Sequence, residues 1–91
     1  MSEFIATFHT HLAAIMADRQ LKALGLRSTM LPVPRALSSS CGTAVRYAAD
    51  SAHIDALGED AERAYRILPD GKKETYELLY ENEELPQRTE S

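Results

Sequence analysis

Cys41 is the only cysteine of this 91-residue chain, and it lies in PVPRALSSSCG, residues 32–42. Arg35 stands six residues before it, Ser38, Ser39 and Ser40 precede it directly, and Gly42 closes the stretch. A thiolate is intrinsically very nucleophilic, and small neighbours leave backbone N–H groups uncovered, able to point at a thiolate or a bound anion in a nest-like turn. Pro32 and Pro34 each fix φ and remove a backbone donor, so the chain enters extended and a strand should end near Val33. One cysteine cannot close an internal disulfide or build a thiolate zinc site. A working thiol here must therefore act together with an external partner. The competing reading is a small buried hydrophobe, the usual state of a lone cysteine. The segment argues against it, because Leu37 is its one large apolar group between the second proline and the glycine.

The elements that must position this loop follow from periodicity. Residues 3–8 are apolar on both sides of an alternating pattern, which suits a central strand. Leu12, Ala13, Met16, Ala17, Leu21 and Leu24 then recur at spacings of three and four, with Asp18, Arg19 and Lys22 opposite. This predicts an amphipathic helix of about four turns, with Thr10 as N-cap and Gly25 just past its end. Residues 26–33 read as a second strand and residues 43–49, alternating Thr43, Val45 and Tyr47 against Ala44, Arg46 and Ala48, as a third. Asp50 and Ser51 supply capping side chains for a short second helix carrying Ile54, Leu57 and Ala61, weakened by Gly58. The runs 64–68 and 74–80 flank PDGKK and read as a hairpin, with Pro69, Asp70 and Gly71 as turn residues.

The order strand, helix, strand, strand, helix, strand, with an extra C-terminal strand from the hairpin, is that of an α+β domain of the ferredoxin-like split βαβ (βαββαβ) type. Residues 1–80 form this single domain, and residues 81–91, acidic and polar, a tail. In such a sheet the third strand returns between the first two, so the turn holding Cys41 lies at the end where the first helix begins. Cys41, His9, Thr10 and His11 then share one end, where helix N–H groups favour negative charge. On that geometry Cys41 is the candidate nucleophile, His11 or His9 its proton acceptor or charge partner, and Arg35 the group that stabilises an anion or the thiolate. Ser39, Ser40, Gly42 and Thr10 are the binding residues around it. His53 belongs to the opposite end and reads as structural. Tyr65, Tyr76 and Tyr80 are at strand spacing and read as packing residues. The acids Asp55, Glu59, Asp60 and Glu62 read as a solvated helix face.

These same residues carry a resemblance. The Pro-x-Pro-Arg of residues 32–35 followed by Ser39-Ser40-Cys41-Gly42, with Phe8 and His11 in FHTHLAA and the run TAVRY after the loop, resembles a small bacterial family described as selenium/sulfur carrier-like, a domain of unknown function. The similarity runs from about Phe4 to about Tyr47 and, more weakly, through the second helix; the acidic C-terminal region has no counterpart. The resemblance implies a carrier that holds a sulfane sulfur or selenium atom on its cysteine, receives it from a donor protein and passes it to an acceptor.

Composition limits the alternatives. With 44% hydrophobic and 26% charged residues the chain is an ordinary globular domain rather than a disordered one. A net charge of −4, from ten basic residues scattered among fourteen acids, argues against a nucleic-acid partner. No apolar run approaches the roughly 20 residues of a membrane span, and the N-terminus lacks the pattern of a signal peptide, so a cytoplasmic location is expected. No cofactor or metal motif is present, and a free-standing thiol enzyme is disfavoured by the lack of a resolving cysteine or a phosphate-binding motif. Two functions remain: the carrier, and a non-enzymatic interaction or small-ligand module with a structural cysteine, able to homodimerise through its sheet.

Overall fold

Five consecutive buried residues, Phe4 to Phe8, explain the architecture, since only a strand flanked on both sides and covered on both faces hides every side chain. The structure is a computed structural model that describes residues 1–82. Its elements are β1 (Ser2–Phe8), α1 (His11–Ala23), β2 (Arg27–Pro32), β3 (Thr43–Ala49), α2 (Ile54–Leu57), β4 (Ala61–Asp70) and β5 (Lys73–Glu81). They form an α+β domain with one five-stranded sheet in the order β2-β3-β1-β4-β5, every neighbouring pair antiparallel. The third strand lies between the first two, and the additional C-terminal strand extends the sheet beyond β4.

Alternation along β1 sends Phe4, Ala6 and Phe8 toward α1, where they meet Ala14, Ala17 and Leu21 together with Val45, Tyr47 and Ala49 of β3. Ile5 enters a smaller cluster with Ala44 and Ile67 on the other face. Thr10 caps α1 as its sequence suggests, its hydroxyl accepting from the Ala13 N–H at 3.0 Å. Gly25 follows the helix with φ of 84°, a conformation that favours glycine.

The buried side of α1 differs from the expected stripe. Ala14, Ala17, Asp18 and Leu21 face the sheet, while Leu12, Met16 and Leu24 are 64%, 61% and 48% exposed. The bulky side chains at this interface come from the sheet, in Phe4, Phe8 and Tyr47, so alanines fit on the helix side where leucines would crowd. Asp18, expected on the solvent side, is buried because Ser28 of β2 donates a hydrogen bond to its carboxylate and Lys22 donates another at 3.0 Å.

The second helix is a single turn. Asp50 and Ser51 do not cap it; the residue before it is His53, in the left-handed region at φ 51° and making no side-chain cap. Gly58 at φ 91° ends it, and Ala61, expected in the helix, opens β4 instead. Glu62 accordingly belongs to a strand and not to a solvated helix face. The hairpin turn is also tighter than expected, because Pro69 and Asp70 still pair with Glu74 and Lys73. Only Gly71 and Lys72 make the turn, with Gly71 first at φ 64°. Pro69 is tolerated because it lies past Ile67, the last β4 residue paired with β1. β5 continues through Glu81; the rest of the expected tail, residues 83–91, lies outside the described residues.

Tyr47 gives the core a pH dependence. Its ring stacks on Phe4 at a centroid distance of 5.4 Å and its hydroxyl donates to the Ala52 carbonyl. Burial pushes the phenol well above its ordinary range. Because the folded value is raised, the folded protein keeps this proton at pH values where the unfolded chain releases it. The stability that the protonated phenol contributes is therefore fully present below the unfolded value of about 10 and is lost above it, at up to about 1.4 kcal/mol per pH unit. Urea unfolding between about pH 8 and about pH 11 should show this decline, and Tyr47→Phe should make it shallower.

Candidate functional site

The loop joining β2 to β3 is fastened at its base and at its middle. The Val33 N–H donates to the Gly42 carbonyl at 3.1 Å, and Leu37 N–H to the Pro34 carbonyl at 3.0 Å. Val33 and Leu37 pack against the Ile5, Ala44 and Ile67 cluster, so the front of the loop leans over the sheet face opposite α1. Gly42, with φ of 75°, turns the chain back into β3.

Two serines then tie the region around Cys41 to two different strands. The Ser39 hydroxyl donates to the carbonyl of Phe8, the last residue of β1, at 2.9 Å, and accepts from the Cys41 N–H at 3.3 Å. Ser40 donates twice to one carboxylate, its N–H to Glu62 Oε1 at 3.0 Å and its hydroxyl to Glu62 Oε2 at 2.5 Å. Glu62 falls where the β1–β4 register shifts between Thr7 and Phe8, an irregularity that aims a side chain away from regular alternation.

Cys41 itself is half-buried, its side chain against the α1 side of the core. Its sulfur lies 3.8 Å from the Thr43 carbonyl and 3.9 Å from the Ser39 hydroxyl, both weak contacts. The histidines approach from the start of α1. His11 Nδ1 is 3.1 Å from the Thr43 hydroxyl, and His9 Nδ1 is 3.6 Å from Glu62 Oε2. Through these contacts the Cys41 loop and the 9–11 segment occupy one end of the sheet. Neither imidazole hydrogen-bonds the sulfur among the described residues; each reaches the loop through a second residue, Thr43 or Glu62. The Thr10 hydroxyl is committed to its cap. Arg35 is exposed and makes no hydrogen bond or ion pair among the described residues. His53 lies at the other end, lining a shallow cleft with Gln20, Leu24 and Ser51.

Glu62 and Thr43 were not singled out by sequence. Thr43 could have been found as the first residue of a well-marked strand immediately after the loop. Glu62 reads as part of a helix face; extending the strand of residues 64–68 back only to Ala61 puts it on β4. Among the described residues no group of three or more His, Cys, Asp or Glu side chains could hold a metal ion, and no helix is long and apolar enough to cross a membrane.

A family model described as "Putative Se/S carrier protein-like" matches residues 3–81, a span that contains all seven elements almost entirely and the whole Cys41 loop. The chain belongs to this family. Membership supports a coarse role in carrying sulfur or selenium, and a carrier of this kind exchanges its atom with other proteins. The match extends well past the third strand and into β5. No curated protein and no solved structure matches the chain.

Proposed function

We propose that this protein carries a sulfane sulfur or selenium atom on Cys41 between a donor and an acceptor protein. The observation that carries the reading is the placement of a half-buried thiol in a loop tied by Ser39 to β1 and by Ser40 to β4, in a chain that belongs to a carrier family. Loading is a thiolate displacement. Cys41 Sγ attacks the terminal sulfur of a donor persulfide, the new S–S bond forms as the donor S–S bond breaks, and the donor cysteine leaves as its thiolate. No net oxidation occurs, and the proton lost by Cys41 balances the one taken up by the leaving thiolate or by solvent. Delivery repeats the same step with the acceptor as nucleophile.

Within this reading the exposed His11, its ring held by the contact of Nδ1 with the Thr43 hydroxyl, accepts the Cys41 proton through solvent. His9 acts on the charge of Glu62. Arg35, unpaired and on the exposed side of the loop, meets an anionic group of the incoming partner. Ser39, Ser40 and Gly42 hold the loop backbone, and Thr10 keeps the helix end in place. We read the sheet order as the ferredoxin-like split βαβ arrangement with one strand added, and the location as cytoplasmic, where free thiols persist.

A second reading, a structural cysteine in an interaction module, draws support from the packing of Cys41 against the core. Intact mass separates the two. After incubation with a cysteine desulfurase and either cysteine or selenocysteine, the carrier reading expects a gain of one sulfur or selenium atom that reductant removes. An unchanged mass, with a thiol that resists alkylation at neutral pH, would favour the structural reading.

A further inference from the structure

The Glu62 side chain is only 12% exposed and gathers donors from two separate segments, the backbone and hydroxyl of Ser40 and the ring of His9. A carboxylate so shielded from water depends on its partners, and hydrogen bonds to an ionised acceptor are roughly twice as strong as neutral ones. Ser40 immediately precedes Cys41, and no other side chain among the described residues bonds to Ser40. Its neighbour Ser39 holds the loop to the end of β1, so Glu62 supplies the matching hold on β4.

We infer that Glu62 is the latch that sets the reach of the Cys41 thiol: bonded to Ser40 it keeps the sulfur half-buried and aimed, and released from Ser40 it lets the loop swing outward. This rests on the carrier reading, and it names a positioning residue that acts on the reaction through Ser40. A latched loop protects the carried atom from small thiols while leaving the sulfur presented in one orientation to a donor enzyme. An unlatched loop exposes the sulfur to small reagents and loses that orientation. The two consequences have opposite signs; unfolding would also give both, so core amides at Ala6 and Val45 that stay protected are what separate a released latch from a lost fold.

Glu62→Ala, Glu62→Gln and Ser40→Ala should be compared with the natural sequence by amide hydrogen exchange at Ser40 and Cys41, by the rate of Cys41 alkylation with iodoacetamide, and by the rate of loading from a persulfide-bearing desulfurase. Glu62→Ala is expected to speed exchange and alkylation about tenfold and to slow loading, with Ala6 and Val45 amides unchanged. Glu62→Gln keeps an acceptor for the Ser40 N–H and should fall between the two. Ser40→Ala, an exposed loop change that leaves the core alone, should speed alkylation about threefold. Alkylation and exchange that do not change in Glu62→Ala and Ser40→Ala would overturn the latch, as would loading that rises or stays constant in Glu62→Ala. If the natural sequence takes up no sulfur at all, the carrier reading falls, while exchange and alkylation still decide the latch.

Discussion

Cys41→Ala is expected to abolish sulfur or selenium loading while lowering stability by less than about 1 kcal/mol. The small cost follows from how little the thiol holds. Its two polar contacts, at 3.8 Å and 3.9 Å, are weak, and the loop is fastened by other groups: Ser39 on the Phe8 carbonyl, Ser40 on Glu62, Leu37 on the far-face cluster. Alanine removes one polarisable atom from a site that is only partly buried, so little of the space it leaves is enclosed. The loss of loading should be complete because no second cysteine can take over. Intact mass after exposure to the donor and urea unfolding of the same sample measure both effects. A destabilisation of about 2 kcal/mol or more would mark Cys41 as a packing residue and shift the weight to the interaction module.

Phe8→Ala is expected to cost about 3–5 kcal/mol, a large fraction of the roughly 5–15 kcal/mol that holds a domain together. Phe8 is fully buried among the α1 alanines and the residues of β3 and β4. The neighbours that could close on the space are largely alanines with no reach, so a cavity should persist. The midpoint of urea unfolding should fall with little change in slope, because the surface exposed on unfolding is nearly the same. The position also carries the carbonyl that accepts from Ser39, so slackening β1 at this point should loosen the Cys41 loop as well. Faster alkylation of Cys41 under folding conditions would show that coupling, and a midpoint that does not move would contradict the packing described for this core.

Much of this was legible in sequence because local chemistry and tertiary packing agree there. Thr10 and Gly25 mark the limits of α1 by the capping they perform, and the alternation of residues 43–49 survives as β3 because Val45, Tyr47 and Ala49 are buried on one face while Arg46 and Ala48 on the other stay partly exposed. The loop between Pro32 and Gly42, and its sharing of an end with His9 and His11, followed from strand direction. What escaped depended on partners distant in sequence. A leucine stripe outranks an alanine stripe in any periodicity, yet Ala14 and Ala17 face the core because the sheet already supplies bulk. Asp18 reads as a surface acid until Ser28 is known to meet it. Glu62 reads as one more acid of a solvated helix face, and its contact with Ser40, twenty-two positions earlier in the chain, exists only because a strand irregularity brings the two together.

The central position of β1 bears on how the protein is made. Its two sheet neighbours, β3 and β4, begin at Thr43 and Ala61, so β1 leaves the ribosome well before either of its pairing partners. Through that interval Phe4, Ile5 and Phe8 have no sheet to join, and such non-local pairing slows folding because loop closure precedes any reward from contact. The nascent chain should thus complete the pairing of β1 only once β4 is synthesised, leaving a window in which this apolar strand is open to chaperones and to other unfinished chains.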